Sequence, residues 1–455
     1  MNEKLKSNRN LLTHIFLGLS SFQILAMFRR GLFYTFLSLY LRFFLHLSVT
    51  ATTLYGTVPM VLSVIGQNFV WGPLSDRIQK RRIFIVVGEL FAGFGLIIIW
   101  AIHLLFSNLQ YAGYFVIGGL SIIEFFWSMS NISWSSLVSD VYSPKKRSRV
   151  IGGLTSLGGI GQILGIFIGG ILYDGNGLKY EGFGFREGIL FIIAAAIMIS
   201  SIFPILLLIP EGGAKRSWNE TEEQELNSEN LRESENRSDF ADSDSQNRSV
   251  FLYFIIALFV INLGRNSIAI IFSQYLSLSS GIDANSEIIS YILNTRSIAT
   301  ILLGLIAGKL SNKIGLRKTL AISSFIAVIY LYIFSQVTKI ELIYVGTAIW
   351  GFCEVLIGTS SYALASILIP SHKRARLFGW YNASFFLSWG IGSTFIVGPT
   401  IDYLLKDGMA ADEAYRFAFF ISSMITMIGL ILFLISVYIE RKKGKKYVKH
   451  EKNQS

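Results

Sequence analysis

The sequence predicts an all-α membrane protein in which twelve transmembrane helices form two pseudo-symmetric six-helix bundles. Three observations carry this reading. Of the 455 residues, 52% are hydrophobic and only 15% are charged, against about 25% charged in an average soluble protein. The charges are concentrated in breaks between apolar runs of about twenty residues or more, each long enough to cross a bilayer core of roughly 30 Å. Finally, a basic segment near residue 75 recurs near residue 312, so the chain holds two copies of one unit.

In chain order the apolar runs are approximately 11–44, 50–74, 82–106, 112–140, 150–173 and 188–209, then 251–278, 286–310, 319–338, 341–369, 377–405 and 415–439. Lipid offers the backbone no hydrogen-bond partner, so runs of this length must be helices that satisfy their own N–H and C=O groups. The first run follows Lys4, Lys6 and Arg9 like the charged start of a signal peptide. It continues past Leu41 without a small-residue cleavage pattern, so a retained first helix is expected. Residues 211–249 carry eleven acids and five bases with almost no large apolar side chains, the composition of a disordered or weakly helical linker. The expected organisation is a bundle at 1–210, an acidic linker at 211–249, a second bundle at 250–440 and a basic tail at 441–455.

The formal charge of +11 suggests nucleic acid on a soluble protein, but here the bases sort by side of the membrane. Those before helix 1 and after helices 2, 4, 8, 10 and 12 fall on one side together with the linker. Only Arg42, Lys179, Arg186, Lys339, Lys406 and Arg416 fall on the other. By the positive-inside rule the linker and both termini are cytoplasmic and the protein sits in the cell membrane. The bases then set topology and contact anionic lipid, and no nucleic-acid partner is expected. Cys353 is the only cysteine, the five histidines show no HxxxH or HExxH spacing, and no Walker A or strand-borne GxGxxG sequence is present. A metal centre, a cofactor and enzyme activity are therefore not expected.

The repeat is specific. WGPLSDRIQKRR at 71–82 matches AGKLSNKIGLRK at 307–318 with a shift of 236, and the same shift places Arg29 on Arg265 and Tyr55 on Tyr291. PKKRSR at 144–149 matches SHKRAR at 371–376. Two six-helix halves repeated in the same orientation are a transporter design with its site near the midplane.

The first of these segments resembles the signature loop of the major facilitator superfamily, Gly-x-Leu-x-Asp-Arg/Lys-x-Gly-Arg/Lys-Arg/Lys. Gly72, Leu74, Asp76, Arg77, Lys80 and Arg81 meet that pattern, while Gln79 replaces its second glycine, for which a looser turn is expected. The second copy keeps Gly308, Leu310, Lys313, Gly315 and Arg317 but has Asn312 in place of the acid and Leu316 in place of a base. The resemblance covers the whole chain and implies a secondary transporter that alternates access by rocking one half against the other. In it, Asp76 and the following bases act as a conformational gate, with Asp140 at the end of helix 4 as a partner for Lys80 or Arg81.

A residue roughly ten to thirteen positions into a membrane helix lies near the bilayer centre at about 1.5 Å per residue; the charges expected there are Glu124, Arg265, Arg296 and Glu354, and Arg29 by its repeat match to Arg265. Arg30 is adjacent to Arg29 and turned by about 100°. Each arginine costs roughly 2.5–3.5 kcal/mol to insert, so it needs a partner or a wet cavity. In the superfamily helices 1, 4, 7 and 10 line the central cavity, and here they carry Arg29, Glu124, Arg265 and Glu354. Two mechanisms compete. Arg29 and Arg265 clamp an anionic substrate, as in organophosphate:phosphate antiporters, or Glu124 and Glu354 exchange protons with the arginines as counter-ions while a lipophilic or cationic compound leaves the cell. Simple helix-orienting ion pairs, Arg29–Glu124 and Arg265–Glu354, are the plainer alternative. Aromatic residues nearby, among them Tyr34, Tyr55, Trp127, Trp350 and Trp380, offer a lining for amphipathic compounds.

Gly161, Gly165, Gly169 and Gly170 in helix 5 resemble the antiporter motif of the superfamily, although Ile166 stands where that motif has proline. The same spacing also serves plain helix packing. The reading is a monomeric transporter of a small organic solute, favouring proton-coupled efflux of drug-like or metabolic compounds. Organic or phosphate-bearing anion transport is its rival, and a receptor or scramblase on the same scaffold is the alternative of another class.

Overall fold

A computed structural model describes residues 2–142, 144–175, 182–209, 241–369 and 374–451. The first half consists of α1 (Asn2–Leu39, prolonged by the π-helical Tyr40–Phe44), α2 (Val49–Ile65, prolonged through Gly66–Trp71 and Gly72–Ile78), α3 (Arg81–His103), α4 (Leu109–Val141), α5 (Pro144–Asp174) and α6 (Ile189–Leu208). The second consists of α7 (Ala241–Asn266), α8 (Ser286–Ile314), α9 (Leu316–Gln336), α10 (Ile340–Leu368), α11 (Arg374–Gly392, prolonged through Ser393–Val397 and Gly398–Lys406) and α12 (Ala411–Glu451). Among the described residues ten helices are long and apolar enough to span a membrane. An eleventh, α8, passes the same test but bends by 64° near Gly304, and the apolar part of α7, Val250–Asn266, is shorter. The short helix Phe272–Ser277 follows α7.

Helix starts follow local chemistry. Ser48 Oγ accepts the Ala51 N–H at 3.1 Å at the head of α2, and Asn108 Oδ1 accepts from Gln110 and Tyr111 at 2.9 and 3.3 Å at the head of α4. Each cap satisfies N–H groups that the first turn leaves without partners. At the end of the α2 extension the expected looser turn is not found. Gln79 adopts φ +61° and donates its N–H to the Ser75 carbonyl at 2.9 Å. Its repeat equivalent Gly315, at φ +97°, donates to Ser311 at the same distance. The loop thus keeps the left-handed turn that a glycine would take at less cost.

The chain divides into two compact units, Met1–Asn227 with Asp283–Ser297, and Ser228–Ile282 with Ile298–Ser455. In the first, α1 packs on α5 and α6, α3 on α4 and α6, and α2 on α4. In the second, α7 packs on α11 and α12, and α9 on α10 and α12, so four of those five pairings recur. The α1–α5 contact is the closest in backbone terms. A Cβ on Gly161 or Gly165 would run into the carbonyl oxygens of Ile24 and Phe28, and one on Gly169 would lie 2.7 Å from that of Leu32. The glycine row of helix 5 therefore sets helix approach. Residues 283–297, which include the start of α8, join the first unit through Ser286, whose hydroxyl donates to the Gly170 carbonyl at 2.5 Å, and through Asn294, whose amide donates to the Ile163 carbonyl at 3.2 Å. Of the linker, 241–249 form the first turns of α7, and 210–240 lie outside the described residues.

Candidate functional site

In the first unit α1, α3 and α4 bring together seven side chains. Arg29 is buried at 2% exposure, and its guanidinium lies 5.1 Å from the Trp127 ring and 5.8 Å from that of Tyr34. Arg30 is exposed, but its guanidinium also reaches the Trp127 ring, at 5.3 Å. The indole N–H on the edge of that ring donates to Glu89 Oε1 at 2.8 Å, and Ser130 Oγ donates to the same oxygen at 2.7 Å. Tyr34 donates its hydroxyl to Glu124 Oε1 at 2.6 Å, and its own carbonyl accepts from the Tyr55 hydroxyl at 3.3 Å. Glu124, Trp127 and Ser130 stand three residues apart on α4, and side chains at that spacing share a helix face.

The electrostatics tie these groups into one cluster. Arg29 interacts with Glu89 and with Tyr34, and Glu89 with Glu124. Neither glutamate takes its hydrogen bonds from an arginine: Glu124 is held by Tyr34, and Glu89 by Trp127 and Ser130. Arg29 Nη2 is buried without a hydrogen-bond partner, so the cation rests on aromatic faces and keeps a donor in reserve. A simple Arg29–Glu124 ion pair is thus not what α1 and α4 form.

In the second unit Arg265 on α7 is 3% exposed. Its Nε donates to Asn262 Oδ1 at 2.8 Å, one turn earlier, and its guanidinium lies 5.8 Å from the Phe385 ring on α11. Arg265 Nη1 and Asn262 Nδ2 are both buried without a hydrogen-bond partner. Arg265 also interacts electrostatically with Tyr381 and Cys353, and the Tyr381 hydroxyl is 3.0 Å from Ser361 Oγ. Glu354, one residue beyond Cys353, is half-buried. Arg296 is also half-buried, within the 283–297 segment that groups with the first unit.

Around the signature loop, Arg81 is buried and donates to Ser75 Oγ at 2.7 Å and to Asp76 Oδ1 at 2.8 Å. Asp76, Arg77 and Lys80 are exposed, as are Gly308 and Lys313 in the second copy, and Gly72 is half-buried. Arg317 donates two hydrogen bonds to Glu440 on α12. The side chain of Asp140, the expected partner of Lys80 or Arg81, lies outside the described residues.

Sequence reasoning missed Glu89. It is the eighth residue of its run, short of the ten to thirteen at which the bilayer centre is expected. The signal was nonetheless present, since Glu89 is the only acid in the apolar run 82–106. Asn262 and Asn266 were missed too, although they frame Arg265 at i−3 and i+1. The Asn266 amide lies 3.5 Å from Ser388 Oγ on α11. Of the aromatic residues, Tyr34, Tyr55 and Trp127 belong to the first cluster. Trp350 is buried against Phe272 and Tyr330, and Trp380 is exposed.

The family model of the Major Facilitator Superfamily matches the chain twice, over residues 19–253 and 254–454. A multidrug resistance protein, MdtG, of Escherichia coli O6:K15:H31 is 25% identical over 393 residues, covering 83% of this chain and 81% of its own. Among solved structures, a bacterial homologue of the human lysosomal transporter Spinster, in an inward-facing and unoccupied conformation, is similar with a TM-score of 0.68 at 13% identity. That match covers 94% of this chain and 97% of the other. The nucleoside transporter NupG follows with a TM-score of 0.66 at 13% identity, covering 93% and 98%. Tetrameric PepTSo2 gives 0.69 at 12% identity, covering 94% and 99%. With the helical architecture, the repeat and the signature loop, these matches make the chain a member of the Major Facilitator Superfamily, a multi-pass membrane transporter of small molecules and not an enzyme.

Proposed function

We propose that this protein is a proton-coupled antiporter that exports lipophilic or cationic drug-like compounds from the cell. The observation that carries the reading is the Glu124 carboxyl, buried in a membrane helix, held by the Tyr34 hydroxyl and set beside two arginines that stack on Trp127. An intramembrane carboxyl has a high cost of charge and is functional by default, and it accepts or gives up a proton without changing its packing. Aromatic faces around the cluster suit flat, amphipathic compounds. The 25% identity to a multidrug resistance protein over most of both chains supports export. In this reading Glu354 is the corresponding group of the second half, and the bases of the signature loop and tail face the cytoplasm and anionic lipid of the cell membrane. The transporter works as a monomer by alternating access, with Asp76, Arg81 and their counterparts as the gate.

The test is reconstitution into liposomes with ethidium as the transported cation. An imposed pH gradient is expected to drive ethidium accumulation, and Glu124→Gln to abolish that drive. Wild-type flux indifferent to the gradient removes the proton reading, and coupling unchanged in both Glu124→Gln and Glu354→Gln removes these two carboxyls from it.

A second reading is favoured by one observation: Arg29 Nη2 and Arg265 Nη1, at repeat-equivalent positions, are buried donors without hydrogen-bond partners. Such donors suit an anionic substrate group, which accepts charge-assisted hydrogen bonds. Uptake of a phosphate-bearing anion, independent of pH gradient and lost in both arginine variants, selects it.

A further inference from the structure

We infer that Glu89 is a proton-binding site of this transporter and that Trp127 is the positioning residue linking its charge state to Arg29 and Arg30. The inference rests on the proton-coupled reading and adds to it a group on a different helix.

Glu89 is 2% exposed and sits on α3, whose apolar run holds no other acid. Both of its described hydrogen bonds arrive at a single oxygen, Oε1, from Trp127 and Ser130 on α4. A merely structural acceptor does not need a charge here. A glutamine carbonyl accepts the same two bonds in the same volume, without the several kcal/mol that a buried carboxylate costs. What a carboxyl adds is the capacity to form an O–H bond and to break it again. The charged groups that interact with Glu89 are Arg29 on α1 and Glu124 on α4. The other helix packed on α3, α6, carries no ionisable side chain over Ile189–Leu208.

The link to the arginines runs through one ring. Trp127 presents its N–H edge to Glu89 and its face to both guanidinium groups. When Glu89 gains a proton its negative charge is removed, Arg29 loses a counter-charge, and the indole donates to a neutral acid instead of a carboxylate. When the proton leaves on the other side of the membrane, the carboxylate is regenerated and the balance is closed. Protonation at Glu89 therefore alters the electrostatic balance of the arginines beside Glu124 without moving the backbone.

The test uses the full-length protein in lipid nanodiscs, without any substrate, followed by pH-difference infrared spectroscopy of protonated carboxyl groups. The wild-type spectrum is expected to contain a titrating carboxyl band that disappears in Glu89→Gln and persists, displaced, in Glu89→Asp. Trp127→Phe, which keeps a ring for the arginines and removes only the N–H donor, is expected to change the frequency and midpoint of that band. A carboxyl band identical in wild type and folded Glu89→Gln overturns the assignment. A Glu89 band unaffected by Trp127→Phe overturns the role of Trp127. Should Glu89→Gln fail to give a folded protein on melting, Glu89→Asp against wild type carries the same decision by whether the band is displaced.

Reconstituted transport separates this assignment from the reading beneath it. One coupled proton turns each pH unit into at most about a tenfold concentration ratio of ethidium. Glu89→Gln is expected to bring that ratio to about one, with ethidium exchange at equal pH still measurable. A wild-type ratio of one shows that the coupled reading fails whatever Glu89 binds. A tenfold ratio in both proteins shows that coupling holds and Glu89 has no part in it.

Discussion

Arg81 and Arg317 occupy the same place in the two copies of the signature loop, yet they are held by different partners. Arg81 reaches back five residues to Asp76 at 2.8 Å and binds the buried Ser75 hydroxyl at 2.7 Å. The second copy has Asn312 where Asp76 stands, and Arg317 instead pairs with Glu440, 123 residues away on α12. The arginine has kept a carboxylate in both halves, but the acid comes from the loop in one and from within α12 in the other.

The two members of the first pair should contribute unequally. The Arg81 side chain is 5% exposed and that of Asp76 is 70% exposed, so Asp76→Asn removes a mostly solvated charge worth about 0–1 kcal/mol. Arg81→Ala removes the buried guanidinium and its charge-assisted bond to the Ser75 hydroxyl, which keeps only Ser133 Oγ at 3.2 Å, and is expected to cost about 2–3 kcal/mol. Thermal melting of the purified variants checks the order. A larger loss for Asp76→Asn would show that the loop depends on the carboxylate and not on the arginine.

Gln79 offers a gain of stability. It holds the left-handed helical conformation, φ +61° and ψ 15°, with a side chain, whereas Gly315 at the same repeat position takes φ +97° and ψ 130° without one. A left-handed residue with a Cβ costs about 1–2 kcal/mol, from which the greater unfolded-state freedom of glycine subtracts about 0.5–1 kcal/mol. The Gln79 amide also donates to the Asp76 carbonyl at 2.7 Å in an exposed position, a further small loss. Gln79→Gly is expected to leave the melting temperature equal or slightly raised, while Gly315→Gln lowers it. A loss from Gln79→Gly as large as that from Gly315→Gln would show that the Gln79 side chain stabilises its turn by more than the left-handed backbone costs.

The row of glycines on α5 makes the opposite prediction. A methyl group at Gly165 would meet the Phe28 carbonyl, which belongs to the helix backbone and has no rotamer to change. Gly165→Ala must push α1 and α5 apart along their length and is expected to cost at least about 2 kcal/mol, in the range of overpacked cores. Gly152→Ala and Gly358→Ala, where a Cβ meets nothing within 4 Å, serve as controls and are expected to melt like the parent. Equal stability of Gly165→Ala and these controls would show that the α1–α5 approach is looser than its backbone geometry implies.

What the sequence made legible divides along physical lines. Helix number, the repeat and the signature loop rest on hydrophobic runs and local charge, and those are written in the order of residues. Arg29 and Arg265 were legible because a charge in an apolar run has few harmless explanations. Partner choice was not legible. Periodicity could suggest that Arg29 and Glu124 meet, but whether Tyr34 or Arg29 reaches that carboxyl depends on a few degrees of helix rotation. Glu440 is invisible as a partner of Arg317 until α12 is packed. The bend of α8 and the π-helical turns at Tyr40–Phe44 and Gly66–Trp71 lack a local sequence signal of that kind. Such turns are commonly products of packing and often mark functional regions.

Tyr34 and Arg29 give the sharpest test of how the Glu124 carboxyl is tuned. The Tyr34 hydroxyl is the group that donates to Glu124, while Arg29 stands over aromatic faces with Nη2 unpaired. Tyr34→Phe removes that hydrogen bond and little volume, so the pH dependence of ethidium flux should move. Arg29→Gln removes a counter-charge but no hydrogen bond to either glutamate, so it too should shift the pH profile while changing the apparent KM for ethidium by less than about threefold. For a phosphate-bearing anion tested in parallel, loss of a charge-assisted hydrogen bond would raise KM by about 10- to 100-fold. A large, selective rise for the anion in both Arg29→Gln and Arg265→Gln, with an unmoved pH profile in Tyr34→Phe, would turn the cluster from a proton site into an anion clamp. A moved profile in Tyr34→Phe with similar KM values for the cation keeps Glu124 among the groups that carry the proton.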